Sequence, residues 1–334
     1  MTRWRGVVVG IVAACFALAA DPRAYLKLGA DVNGSVVALK WADQPVRYFV
    51  ANRDAAGVTA VDVQRLAADA FATWAAVPHA TVSSEFAGFV DAPPVSDDGV
   101  SVIGFTALAG APFTLASTSF TVDDGTGALR EADIAVNTSF DWSTAPGGDA
   151  AHYDLGFALL HEIGHLYGLG HSGLGETELT TEGRRRVLAK DAVMFPIAFP
   201  PGAVSDRTLD ADDAAGLADL YPATGERRVL GSITGRVTRD GAGIFGAHVT
   251  AFNPSTGSIV GSFTLSNDGT FVISGLEPGL YVVRAEPLDD EDLASFFDDT
   301  SAVDIDFQPA FAPRLVAVPA GGSSARLDIR VTRK

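Results

Sequence analysis

Residues 161–172 read HEIGHLYGLGHS. On a helix, His161 and His165 stand four positions apart, one turn above the other on the same face. Two imidazoles so placed can share one zinc ion. Glu162 projects to the side of that face. It is poorly placed to ligate and well placed to reach a water beside the metal. A helix continued unbroken would carry His171 away, but Gly168 can adopt a positive φ and turn the chain sharply. That turn would return His171 as a third ligand. Three neutral nitrogen ligands leave the ion its charge and one open position, and a water there becomes far more acidic. Glu162 can accept the proton and pass it to a leaving amine, while the metal polarises the scissile carbonyl. The chemistry is peptide-bond hydrolysis without a covalent intermediate. Two other readings use the same residues: a helix whose histidines face solvent or satisfy a core, and a metal site that grips peptides without cutting them.

Such a site needs elements to position it. The pattern predicts a helix over Tyr153 to Gly168, with Asp154 as N-cap ahead of Leu155, Ala158, Leu159 and Ile163. An earlier amphipathic helix covers Asp62 to Trp74, with Val63, Leu66, Ala67, Ala70, Phe71 and Trp74 at helical spacing and Thr59 or Asp62 as cap. A third runs from about Asp210 to Leu220 and stops at Tyr221-Pro222, because proline cannot continue the ladder. Strands are expected at Val46–Val50, Thr81–Phe86, Val100–Phe105, Phe113–Val122 and Ala132–Asn137, with a turn at Asp123–Gly127 between the last two. After Pro222 the texture changes. Residues 223–231 read as a linker. From Ser232 short alternating segments follow, broken by Asp240-Gly241, Asn253-Pro254, Asn267-Asp268-Gly269 and Pro278-Gly279, which suggests a small β-sandwich. The expected fold class is α+β, followed by an all-β region over 232–334.

A net charge of −17 over 334 residues repels phosphate backbones, so nucleic acid is not an expected partner. The start reads as a signal peptide over 1–20: Arg3 and Arg5 are basic, Gly6 to Leu18 is apolar but short, and Ala17-Leu18-Ala19 offers a small-x-small cleavage site. The expected location is therefore secreted. Alternatives are an uncleaved anchor, or a lipid anchor at Cys15, since Val12-Ala13-Ala14-Cys15 resembles a bacterial lipobox. Cys15 is the only cysteine, so disulfides and thiol nucleophiles have no place after cleavage. No other stretch is apolar enough to span a bilayer once the signal is removed. A monomer is expected.

The twelve-residue stretch resembles the metzincin zinc peptidases, which share HExxHxxGxxH and a later methionine turn. Ser172 after the third histidine is similar to the matrixin branch, the matrix-metalloproteinase-like enzymes. Ala192-Val193-Met194-Phe195-Pro196 resembles the Met-turn, LDADDAAGLADLY at 209–221 the final matrixin helix, and EADIAVNTSFDW at 131–142 the strand before the active-site helix. Trp41 through Trp74 resembles the opening strand and helix of bacterial matrixin-like proteins. The likeness covers about residues 36–222. It implies a metzincin-type domain with a twisted mixed sheet and three main helices. It also implies a zinc ion held by His161, His165 and His171, with Glu162 as general base and Met194 as a hydrophobic floor beneath the metal. Protein or peptide would be the substrate. An edge strand around Phe113–Ser119 would pair with it, with Leu115 and Ala116 as rim residues, and Phe195 to Thr208, beginning with Phe195 and Pro196, would form the pocket after the cut.

Some features depart from that pattern. Pro196 stands where some metzincins carry a tyrosine ligand. Twenty-two residues separate His171 from Met194, a longer gap than matrixins usually show. The insert carries Glu182-Gly183-Arg184-Arg185-Arg186, expected as a short helix beside the cleft, either solvated or contacting acidic substrate residues. No prodomain cysteine is present to block the zinc. His79, His152 and His248 are scattered, so no second, structural zinc is expected. Asp123, Asp124 and the stretch Asp289 to Asp306 are candidates for calcium.

Residues 232–287 resemble the carboxypeptidase regulatory-like family, a prealbumin-like β-sandwich. Ile233-Thr234-Gly235-Arg236-Val237, Gly246-Ala247-His248-Val249 and Asn267-Asp268-Gly269-Thr270-Phe271 carry the likeness, together with Gly275 through Tyr281. Such domains are accessory, and His248 is expected to be structural. The function expected of the whole is a secreted zinc-dependent endopeptidase. The alternative is a secreted peptide-binding or adhesion protein with a non-cleaving metzincin domain.

Overall fold

The computed structural model describes residues 27–94, 97–111, 113–179, 181, 185–198, 201–202, 207–224 and 229–334. The expected signal peptide with Cys15, and Glu182, Gly183 and Arg184, lie outside these.

Three helices carry the first part of the chain. Helix α1 spans Ala60–Ala75, capped by Thr59, whose hydroxyl accepts from the Asp62 N–H at 3.1 Å. Its Val63, Leu66, Ala67, Ala70, Phe71 and Trp74 are buried, the 3.6-residue periodicity made physical. Helix α2 spans Leu155–Leu166, with the Asp154 carboxylate accepting from the Phe157 N–H at 3.2 Å. It is buried almost all round, as its apolar run demands. Trp74 lies at the α1–α2 contact and donates its indole N–H to the Leu160 carbonyl at 2.8 Å, so that burying its polar atom leaves nothing unpaired. Helix α3 spans Ala211–Leu220. The Asp213 carboxylate accepts from the Asp210 N–H at its start, and Tyr221 and Pro222 end it.

A six-stranded mixed sheet lies against α1 and α2. Its order is Lys40–Trp41, Ala128–Asn137, Val102–Thr106, Val46–Ala51, Ser84–Val90, paired in parallel, with Ala116–Val122 antiparallel to Ala128–Asn137. The core between sheet and helices includes Tyr48, Val50, Phe71, Ile103, Ile134, Val136, Leu159 and Ile163. Several strand expectations shift: the strand expected from Ala132 already begins at Ala128, and the one expected from Val100 begins at Val102. The second strand begins at Ser84 because the Thr81 N–H is taken by the Tyr221 carbonyl. The strand expected from Phe113 begins at Ala116, and Phe113 is exposed.

The insert is corrected outright. Gly175–Leu179 and Arg185–Lys190 form an antiparallel hairpin, not a helix. Its residues alternate with period two. Thr177 opposite Val187 faces inward and both are buried, whereas Glu178 opposite Arg186 faces out and forms an ion pair.

From Gly231 onward the chain is strands and short 3-10 turns. One sheet runs Ala242–Gly243, Gly231–Arg239, Thr270–Leu276, with Leu327–Arg330 parallel to Gly231–Arg239. The other runs Ile259–Phe263, His248–Phe252, Gly279–Glu286, Ala310–Phe311, with Val316–Val318 also on Gly279–Glu286. Ile233, Val237, Val249, Ala251, Phe271, Ile273, Tyr281 and Val283 belong to the core they share. Helix α3 docks on this region, with Ala215 meeting Gly275, whose φ of +74° and bare Cα permit the approach. Among the described residues no helix is long and apolar enough to cross a membrane.

Candidate metal centre

Helix α2 presents His161 and His165 on one face, with ring centroids 4.7 Å apart. The helix then stops in a Schellman motif: the Gly168 N–H bonds the His165 carbonyl at 2.6 Å, and the Leu169 N–H bonds that of Gly164 at 3.1 Å. Gly168 has φ +95°, and a Cβ there would strike the Leu39 carbonyl. The reversed chain brings the His171 ring to 5.5 Å from His161 and 4.8 Å from His165. The three ligand-capable atoms lie within 4.8 Å of one another, and among the described residues no other cluster of histidine and acidic groups does this.

The hydrogen bonds fix the tautomers. Each Nδ1 faces a backbone carbonyl: His161 that of Val193 at 2.8 Å, His165 that of Leu169 at 2.8 Å, His171 that of Ser295 at 2.6 Å. A carbonyl has no proton to give, so each Nδ1 carries it and each Nε2 is a bare lone pair. Burial keeps the rings neutral. It pushes His161 down to about 3, His165 well below its ordinary value, and His171 down as well. The Nε2 atoms of His165 and His171 are 3.2 Å apart. Two lone pairs facing each other at that distance repel unless a cation stands between them. Three neutral imidazoles oriented by carbonyls fit a zinc-type ion.

Glu162 is buried. Thr118, on the sheet's antiparallel strand, donates its hydroxyl to Glu162 Oε2 at 2.6 Å. Burial pushes the carboxyl up to about 7, with the Thr118 bond acting in the opposite sense. A group in that range can take and return a proton near neutrality.

Met194 is fully buried, and its sulfur meets α2 at Gly164, where only a residue without Cβ fits. The Asp213 carboxylate accepts from the Val193 and Met194 N–H groups at 2.8 and 3.0 Å, and the Met194 carbonyl accepts from the Ser172 N–H at 2.9 Å. Ser172 donates its hydroxyl to Asp212, whose other oxygen accepts from the Gly261 N–H at 2.7 Å. Burial lifts Asp212 to about 8 and Asp213 to about 6, the latter opposed by three backbone N–H donors.

The expected substrate residues fare differently. Ala116 is buried and pairs with Val136. Leu115 is half-buried, with its carbonyl taken by the Asn137 N–H on the inner side of the strand. Phe195 is also buried, packed on Gly175 of the hairpin, and Pro196 is half-buried. The remainder of the expected pocket is only partly described. His152 is partly exposed and bonds Asp149; His248 is buried and stacks on Phe263. Asp123 is occupied by Thr126 and Arg130, Asp304 by Arg239, and Asp306 by Arg333. Sequence reasoning missed Thr118, and it missed Ser295 and Phe296, whose ring meets that of His171 in a T-shaped contact at a centroid distance of 6.4 Å. No local pattern marks any of them.

Residues 232–293 match the carboxypeptidase regulatory-like domain family, in keeping with the β-sandwich seen there. No curated protein matches the chain.

Proposed function

We propose that the chain is an exported zinc-dependent endopeptidase with a metzincin-type, matrixin-like catalytic region and an accessory β-sandwich. The observation that carries this reading is the trio of unprotonated Nε2 atoms, each ring fixed by an Nδ1–H to a backbone carbonyl. His161, His165 and His171 would hold the metal. When bound, zinc supplies Lewis-acid chemistry: it polarises a carbonyl and makes water more acidic. The protein's own part is the proton. Glu162 accepts it from water and returns it to the leaving amine, with Thr118 holding the carboxylate in place. Met194 would floor the site, anchored through Asp213. Peptide would be gripped along Ala116–Val122, which pairs among the described strands only with Ala128–Asn137 and so keeps one edge for β-addition. Export follows from the N-terminal pattern and is checked by sequencing the N-terminus of the exported protein.

The test is digestion of a mixed peptide library, read by mass spectrometry, with and without chelator, for wild type and Glu162→Ala. Metal-dependent cleavage that disappears in Glu162→Ala, with zinc still bound, supports the enzyme. A wild type that binds zinc and library peptides but cuts nothing supports the binding protein instead.

A further inference from the structure

Two of the three histidines are oriented from within the first part of the chain: His161 by Val193, 32 positions on, and His165 by Leu169, four positions on. The third is not. His171 Nδ1 donates to Ser295, 124 positions away, at 2.6 Å. Ser295 ends a 3-10 turn, Leu293–Ser295, attached to the β-sandwich. Within the turn the Asp292 carbonyl accepts from the Ser295 N–H, and the Leu293 carbonyl from the Phe296 and Phe297 N–H groups, at 2.9–3.0 Å. Phe296 and Phe297 anchor the turn in an apolar cluster with Phe245, Phe263 and Leu288. Phe296 also meets the His171 ring in a T-shaped contact. The segment after His171 meets the same cluster: a Cβ on Gly173 would strike the Phe263 ring and crowd His248. Thr177 donates its hydroxyl to the Asp290 carbonyl, and Asp212 joins Ser172 to Gly261.

We propose that the C-terminal region is a structural part of the metal centre, with the 292–297 turn positioning the third ligand. This rests on the metal-site reading above. The Ser295 carbonyl sets the tautomer of His171 and aims its Nε2, and Phe296 holds both turn and ring. Groups that orient a metal-binding histidine in this way are worth about 10- to 100-fold in metal affinity. Metal binding and docking of the turn are then linked, and by reciprocity the ion stabilises the docked arrangement. Ser295 and Phe296 are positioning residues. They lie just beyond the matched stretch 232–293.

The experiment uses the full-length protein and measures zinc affinity by chelator competition. It also records the visible spectrum of the cobalt-substituted form, which reports ligand geometry. Wild type, Phe296→Ala, Phe296→Leu and the control Phe311→Ala are compared, Phe311 being an exposed ring elsewhere on the sandwich. Phe296→Ala should lose about tenfold or more in affinity and alter the cobalt spectrum. Phe296→Leu, which keeps apolar volume, should recover part of the loss, and Phe311→Ala should match wild type. Should Phe296→Ala fail to fold by circular dichroism, Phe296→Leu decides alone: a threefold or greater loss supports the proposal, and wild-type affinity overturns it. Wild-type affinity in a folded Phe296→Ala, or an equal loss in Phe311→Ala, likewise overturns it while leaving the zinc site standing. A wild type that binds neither metal overturns the site itself, and this proposal with it.

Discussion

The hydroxyl of Thr118 donates to Glu162 at 2.6 Å, joining the antiparallel strand to the helix that carries two of the histidines. Thr118 is buried, so this bond has no water to replace it. A hydrogen bond to a charged group contributes roughly 1.5–3 kcal/mol. Thr118→Val should therefore lower kcat by about 10- to 100-fold, if the carboxylate's position matters most in the transition state. Zinc affinity should be unchanged, and peptidase assays beside metal titration check both.

Asp213 is fully buried and accepts from three backbone N–H groups, those of Val193, Met194 and Asp210. Asp213→Ala would strand these donors, each at a cost of about 1–3 kcal/mol. We expect a loss of about 3 kcal/mol or more in urea unfolding. The Met194 turn should loosen before the sandwich does, which hydrogen exchange at residues 192–195 would report.

Burial raises Asp212 from 3.8 to about 8, with Asp213 and Asp210 adding like-charge repulsion and Ser172 and Gly261 opposing it. The folded state thus holds this proton more tightly than the unfolded chain. Its contribution is fully present below about pH 4 and is lost as pH rises through 8. Stability should fall by roughly 4 kcal/mol between pH 5 and 8 from this group, at about 1.4 kcal/mol per pH unit. Asp133, lifted to about 7 by burial, acts in the same direction. Asp212→Asn should flatten its share of the slope, as seen by comparing urea midpoints of the two proteins across that range.

Gly168→Ala meets two obstacles: a φ of +95° and the Leu39 carbonyl where its Cβ would sit. Positive φ alone costs a non-glycine residue roughly 1–3 kcal/mol. A melting-temperature drop is expected, together with weaker zinc binding, because the turn that returns His171 is the one disturbed. A stable variant with wild-type affinity would contradict this account of the turn.

The local features were legible in the sequence for a physical reason: each depends on residues within a turn or two of one another. The i, i+4 spacing of His161 and His165, the Asp154 cap and the glycine that reverses the helix are set by backbone geometry. The two-residue alternation after Ser232 is equally local. The hairpin was misread because Glu182 to Arg186 looks like a charged helical face. Its strand character rests on cross-strand partners, Thr177 with Val187 and Glu178 with Arg186, that become neighbours only once the hairpin closes.

By itself, then, the sequence determined which side chains could meet a metal, the helix that presents two of them and the bend that aims the third. Tertiary structure alone decided what orients and buries them: Thr118 on Glu162, Asp213 beneath Val193 and Met194, and the Ser295 carbonyl on His171. Backbone carbonyls and N–H groups are the same at nearly every residue, so nothing in residue type announces which of them will face a given imidazole. That is settled when elements far apart in the chain pack together.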